Sequence, residues 1–480
     1  MLENANIAEL IASNEALRLE VLSLKSQVEK LLLENLELRS RLKSNSKNSS
    51  RPPSTDGYEK PKPKPKSQRK RSGNKPGKQP GAKGKHLSPV LEPDETINHI
   101  PDHCNGCGKE LDDARIVGEV RRQVFDLPPV SAIVTEHCAQ RRRCSCGIET
   151  LATFPKDATG PTCYGPNIRA LVCYLVVRQH IPIKRVAELV RDSYSIPIST
   201  GTIVAMVKEG AKMLDDFLAS LRDQLIGSEV VHADETGMRV DASLYWVHSA
   251  STNLFTLYHL DQYRGTKAMD AMGVLEHLSG VLVHDGWSPY RKYIQVEHAL
   301  CNAHHLRELT GVVELQGQLW ASDMMKLLSD TWHRVLDLKE AGITSFSPEE
   351  LSSIKDAYDK IIIAGRLENP EPPQSPRRGR TKKTKAANLL QRLDVYANDV
   401  LRFTTDFHVS FDNNEAERQV RMIKLQQKIS GGFRTVEGAK AWLAIRSYVA
   451  TVIKNGENPL RALEHLMAFD PWMPPALNTG

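Results

Sequence analysis

No uninterrupted apolar stretch among the 480 residues approaches the roughly 20 needed to cross a membrane; runs such as Ala170–Val177 fall far short. The N-terminus carries Glu3 and Glu9 and has no basic segment followed by an apolar core, so no secretory signal is expected there. No phosphate-binding loop of the G-x-x-x-x-G-K-S/T kind occurs, and with it goes the usual indication of an ATP-driven mechanism. Cysteine is sparse, with eight residues in the whole chain. In the cytoplasmic setting these absences lead us to expect, such cysteines are metal ligands, reactive thiols or core residues rather than disulfides. A hydrophobic share of 40% and a charged share of 25% exclude wholesale disorder and a collagen-like fibre.

What is present is unevenly placed. The formal net charge is +6, yet residues 43–85 alone hold 14 Lys and Arg against Asp56 and Glu59, so the remainder of the chain is net acidic. Residues 1–42 carry a heptad pattern. Leu10, Leu17, Leu24, Leu31 and Leu38 recur every seventh position, and Ile7, Asn14, Val21, Val28, Asn35 and Leu42 fill the other core position. Leucine at one seam position, with β-branched residues and an occasional Asn at the other, favours a parallel two-stranded coiled coil and hence a homodimer. The alternative is a lone amphipathic helix packed on its own domain. A tether follows at 43–86, rich in Ser, Pro, Gly and Lys; it cannot bury a core and is expected to be disordered when free, available for DNA phosphates or simply solvated.

Residues 87–150 hold two cysteine pairs, Cys104 with Cys107 and Cys144 with Cys146, each followed by a glycine and separated by strand-like text at Val117–Leu127 and Ser131–His137. Paired cysteines on separated turns are the usual build of a structural tetrahedral Zn²⁺ site. The second pair is a residue shorter than the common spacing, and Cys138 is a substitute ligand. Residues 151–226 read as helices. Ile183–Val190 has helical apolar spacing, a break follows at Tyr194–Pro197, and Ser199 or Thr200 caps a second helix, the outline of a helix-turn-helix.

From Glu229 the periodicity changes. Glu229–Arg239, Leu244–Ala250 and Leu254–Leu260 read as three successive strands, Thr266–Leu278 as a helix and Gly280–His284 as a fourth strand. Three antiparallel strands, a helix and a further strand open an RNase H-like fold, in which the first and fourth strands are neighbours. Asp234 on the first and Asp285 at the end of the fourth then converge. Paired carboxylates suit Mg²⁺, and two such ions assist both sides of a phosphoryl transfer. Glu235 is set aside, because successive strand residues face opposite sides. A third acid is expected on the helix Asp412–Lys428, where Asp412 and Glu415 fit a capping box. Glu417 lies about 200° of rotation from Glu415, and Arg421, Lys424 and Lys428 share its face. Such a stripe suits a nucleic-acid backbone; the plainer alternative is a surface helix of i,i+4 ion pairs. Asp234, Asp285 and Glu417 together read as a DDE metal site. The long interval before Glu417 is mostly helical text with a basic loop at 369–385, so 313–395 is expected to be an inserted helical subdomain. Cys301 and His304 are expected to be core residues rather than a second metal site.

The stretches His232–Thr236 (HADET), Val283–Tyr290 (VHDGWSPY), Cys301–Arg307 (CNAHHLR), Asn413–Arg421 (NNEAERQVR) and Lys428–Thr435 (KISGGFRT) make the resemblance specific. The chain resembles the transposases of the insertion-sequence sixty-six family along nearly its whole length. That resemblance implies Asp234, Asp285 and Glu417 as a catalytic triad using Mg²⁺ or Mn²⁺, residues 87–150 as the family's zinc-binding domain, and terminal inverted repeats and target DNA as partners. It also implies accessory proteins of the element and association with the nucleoid when bound to DNA. The expected architecture is α/β and multidomain: coiled coil 1–42, basic linker 43–86, zinc-binding domain 87–150, helix-turn-helix-like domain 151–226, RNase H-like core 227–312 and 396–456 with the insertion 313–395 between, and a tail 457–480. Two other functions fit the same residues: a transposase-derived DNA-binding regulator that cuts nothing, and an RNase H-like nuclease that cuts without joining.

Overall fold

The computed structural model describes residues 2–43, 45–49, 81, 87–128, 130–371 and 383–475. Most of the basic tether and the cationic loop residues Arg377, Arg378, Arg380 and Lys382 lie outside them.

The chain opens with one uninterrupted helix, α1 (Leu2–Lys43). Leu17, Leu24, Leu31 and Leu38 all stand more than half exposed along it. The cysteine-bearing segment contributes a short antiparallel hairpin, β1 (Arg141–Arg143) with β2 (Glu149–Leu151). The two stretches expected as strands before it form no ladder, and Val117, Val120, Ile133 and Val134 are almost fully exposed. Alternating apolar text makes a strand only when a neighbouring edge takes up its N–H and C=O groups, and none among the described residues does so.

Four helices follow: α2 (Pro166–Cys173), α3 (Ile183–Tyr194), α4 (Thr200–Lys212) and α5 (Asp215–Ile226). α3 ends at Ser195 in the left-handed region, and α4 begins at the N-cap Ser199, whose side chain accepts from the Thr202 N–H. α4 turns Ile203, Met206, Val207 and Gly210 inward.

The central sheet has five strands: β3 (Val230–Val240), β4 (Ser243–Ser251), β5 (Thr256–Asp261), β6 (Val281–His284) and β7 (Glu297–Leu300). Their spatial order is β5-β4-β3-β6-β7, with β3, β4 and β5 antiparallel in succession and β6 and β7 parallel to β3. A two-residue turn with Asp241 and Ala242 both at positive φ joins β3 to β4, as tight hairpins favour. Between β5 and β6 the helix α6 (Thr266–Ala271) is shorter than its text suggested, because Gly273 turns the chain at φ +72°. β7 has no counterpart in the strand pattern of the sequence.

After the sheet come α7 (Asn302–Gln316), α8 (Leu319–Glu340), α9 (Pro348–Glu368), α10 (Lys385–Val395), α11 (Ala397–Val400) and α12 (Arg402–Thr405). They share a core of their own around Trp320, Leu328, Tyr358, Leu389 and Phe403. The chain then returns through α13 (Asn414–Ser430), α14 (Val436–Lys454) and α15 (Pro459–Met467). α14 is buried almost throughout its length and packs on both β5 and α4. One hydrophobic core therefore unites α2–α5, the sheet, α14 and α15, with Phe217, Ile203, Val247, Tyr448 and Leu466 all within it. Among the described residues no helix is long and apolar enough to cross a membrane.

Candidate metal and nucleic-acid site

β3 and β6 run in parallel with His232 opposite Val283. The ladder ends there; Asp234 lies two residues further along β3 and Asp285 one residue past β6, near enough for the charge of Asp285 to act on Asp234. Each aspartate is held by its own backbone: Asp234 Oδ1 accepts from the Glu235 N–H at 2.9 Å, and Asp285 Oδ1 from the Trp287 N–H at 2.8 Å. Burial pushes Asp234 well above the ordinary carboxylate range, and the negative charges of Glu235, Asp285 and Glu417 push the same way. Asp285 is raised too, by burial first and Glu235 second. Carboxylates that raise one another's proton affinity are short of positive charge, and a hard divalent cation with oxygen ligands supplies it.

The third acid arrives through Asn413, the residue preceding α13. Its side chain accepts from His232 Nδ1 at 2.9 Å and donates to the Ala233 carbonyl at 2.8 Å, while its backbone N–H donates to Cys301 Sγ at 3.1 Å. One buried asparagine thus pins the start of α13 to β3 and to the end of β7. Burial pushes His232 down to about 4, so it is the neutral imidazole that makes this bond. Four residues on, Glu417 faces Arg421 at 2.8 Å, Arg307 at 3.5 Å and His304 at 3.9 Å.

The capping box expected of Asp412 and Glu415 does not form. Asp412 accepts from the Asn414 N–H, and Glu415 reaches Lys454 of α14 at 2.7 Å. Arg421, Lys424 and Lys428 of the basic stripe are all exposed, and Lys424 also donates to the Gly237 carbonyl on β3, bracing α13 against the sheet.

Glu235, set aside by strand alternation, belongs to the site's electrostatics. Arg264 donates to its Oε1 at 3.0 and 2.6 Å and the Tyr290 hydroxyl to its Oε2 at 2.7 Å. The Arg264 guanidinium in turn lies 4.1 Å from the Trp287 ring centroid and 4.8 Å from that of Trp246. Neither this brace nor the Asn413 hub had any periodic signal. Only the crowding of Trp287 and Tyr290 behind Asp285 hinted at the brace.

Among the described residues, one set of three ligand-type atoms lies within 4.8 Å of one another: those of Cys301, His304 and Glu417. Asp234, Asp285 and Glu417 are not so tightly gathered. Asp234 and Asp285 fit a hard cation by donor type, and Glu417 lies within electrostatic range of Asp234 while paired with arginines. Cys301 accepts its hydrogen bond from Asn413, and burial pushes its thiol up to about 12.

In the cysteine segment, Gly108 and Gly147 take positive φ and close two matching turns, with N–H bonds back to the carbonyls of Cys104 and Cys144 at 2.8 and 2.9 Å. Hydrogen bonds from the Cys107 and Gly106 backbone lower the Cys104 thiol, and the Cys146 backbone lowers Cys144. A lowered thiol suits a thiolate ligand. The two pairs are not within ligand distance of each other. Cys138 is exposed, as are Cys107, Cys144 and Cys146.

Comparison with known proteins sets this geometry in context. Residues 161–441 match the Transposase IS66 family, residues 101–147 match the zinc-finger binding domain of transposase IS66, and residues 2–88 match a family of unknown function (DUF6444). No curated protein matches the chain.

Proposed function

The chain belongs to the IS66 transposase family, and from that premise we propose that it cuts and joins DNA at the ends of its insertion sequence by a DDE mechanism. The observation that supports this is the mutual electrostatic effect among Asp234, Asp285 and Glu417 beyond the β3–β6 ladder, with the start of α13 tied to β3 through Asn413. A sheet of order β5-β4-β3-β6-β7 with its acids at this place is the arrangement an RNase H-like core would have.

Asp234 and Asp285 would hold the divalent cations, with Glu417 completing the set. Bound there, Mg²⁺ or Mn²⁺ would activate the attacking oxygen and stabilise the leaving one. The chain's own residues do the positioning. Asn413 sets the height of α13, Arg264 and Tyr290 keep Glu235 from competing for the cation, and Arg307 and Arg421 hold Glu417 until the site is charged. Exposed Arg421 and Lys428 continue the same helix face toward a phosphate backbone; Lys424, bound to Gly237, would join them only by leaving the sheet.

The match to the zinc-finger domain supports a structural Zn²⁺ in residues 101–147, and Cys104, Cys107, Cys144 and Cys146 are the ligands we propose. A transposase with such a domain has DNA as its partner. We assign the terminal repeats to the zinc domain, the basic tether and the α3–α4 pair, and the pairing of two protomers to α1.

Joining separates a transposase from a nuclease. A labelled duplex ending in the element's inverted repeat with a free 3′-hydroxyl, mixed with protein, Mg²⁺ and a target plasmid, should yield label covalently linked to plasmid. Nicked plasmid without linked label would leave a nuclease, and repeat binding with neither product would leave a regulator.

A further inference from the structure

The basic tether does not leave α1 as a free end. Residues Asn45–Ser49 form a compact turn: Asn48 Oδ1 accepts from the Asn45 N–H at 2.8 Å, Ser49 Oγ donates to the Asn45 carbonyl at 2.6 Å, and Asn45 Oδ1 accepts from the Lys47 N–H at 2.8 Å. This turn lies on α7. Asn48 Nδ2 donates to Glu314 Oε2 at 3.0 Å, and Ser46 and Asn48 are each only 6% exposed in a segment whose composition reads as solvated linker.

The receiving surface carries its own mark. Gly311 sits in the interior of α7, where glycine costs about 1 kcal/mol relative to alanine. Its φ is not positive, so the helix itself makes no demand for glycine. A Cβ built there would stand 2.2 Å from the Asn48 carbonyl oxygen and 3.2 Å from its carbon. The docked backbone occupies the space a side chain would need. The cavity around it continues between α7 and α10, past Leu315, Lys385 and Asn388, and the ion pair of Arg392 with Glu308 ties the two helices together there.

We propose that this α7–α10 groove is a docking site for the chain's own Asn45–Ser49 segment, fastening the dimer arm and the start of the basic tether to the catalytic domain. α7 begins beside Glu417, at His304, and Gly311 lies two turns further on, roughly 10 Å along the axis. The anchored segment thus sits on the helix that carries His304 and Arg307 beside Glu417, and DNA phosphates gathered by the 12 Lys and Arg that follow Ser49 in the sequence would be delivered to that helix. The delivery role rests on the transposase function; the docking does not.

Gly311→Ala in the full-length protein tests it. Alanine strengthens the helix, so the variant should melt no lower than the parent, yet its Cβ must expel the Asn48 carbonyl. Trypsin cleavage after Lys47, followed by mass spectrometry, should be at least tenfold faster in Gly311→Ala and in Asn48→Ala than in the parent. Equal rates in all three would overturn the docking site, whatever the protein does to DNA. In repeat-end cleavage, Gly311→Ala should bind the duplex like the parent and cut it at least fivefold more slowly. A variant that loses protection at Lys47 and still cuts at the parental rate would overturn the delivery role alone.

Discussion

Asn413 concentrates more of the site's geometry than any of the acids it serves. Its side chain is buried and bonded on both sides, to His232 and to the Ala233 carbonyl. Asn413→Ala would strand both groups without water, at a cost of about 1–3 kcal/mol. We expect a lower melting temperature together with loss of DNA cleavage; a variant with parental melting and parental cleavage would mean that α13 is positioned by something else. A second expectation concerns acid. Burial pushes His232 and His259 down to about 4 from the ordinary histidine value. Between pH 6.5 and 4 the unfolded chain therefore takes up protons that the folded chain refuses, and stability falls as pH falls through that window. The raised Asp234 and Asp285 act with the opposite sign, so the histidine contribution is best isolated by substitution. His259→Gln should lose less stability than the parent between pH 6.5 and 4, by on the order of 1–3 kcal/mol. Parallel curves in chemical denaturation would contradict it. At this scale the sequence was partly legible. The neighbouring places of β3 and β6, the strands that lead to Asp234 and Asp285, followed from strand order alone. Strand alternation says nothing about the reach of charge, however, and Glu235 raises both aspartates. Glu415 matched a capping motif by spacing, but Lys454, far along the chain, claimed its carboxylate.

Among elements, those with strong periodicity appear where the text places them. β3, β4 and β6 match their expected spans to within a residue or two, and the described part of the inserted stretch 313–395 is helical as its text suggested. What was missed depends on partners rather than pattern. β7 is four residues long and exists because β6 offers it an edge. The apolar stretches around Val117 and Val134 lack such an edge and stay out of any sheet. α4 has the spacing expected of the second helix of a helix-turn-helix, and its buried face is committed to α14, α2 and α3. α1 raises the opposite case, a helix whose apolar seam is exposed within one chain. Two leucines buried in a seam stabilise it by roughly 1.5–3 kcal/mol each. Leu24→Lys with Leu31→Lys should therefore convert a dimer to a monomer in sedimentation equilibrium, and a parent protein that already sediments as a monomer would contradict the pairing we assign to α1.

Over the whole molecule, charge and structure are divided between segments. The cationic tether lies between α1 and the zinc segment, while the remainder of the chain is net acidic. Fold class was readable because strand and helix periods alternate cleanly from Val230 onward. The extent of the shared core was not, since nothing in local pattern says that α2–α5 and α14 bury one another across the intervening sheet. Nor does composition reveal that Asn45–Ser49, written in linker residues, is seated on α7. The central claim is that Asp234, Asp285 and Glu417 act as one metal-dependent centre for cutting DNA. The direct measurement is cleavage of a labelled inverted-repeat duplex in Mg²⁺ and in Mn²⁺ by the parent, Asp234→Asn, Asp285→Asn and Glu417→Gln, with duplex binding measured alongside. The account predicts that all four bind, and that each substitution lowers cleavage at the repeat terminus by at least a hundredfold in both metals. Cleavage that persists in any one of the three variants would place the active site elsewhere.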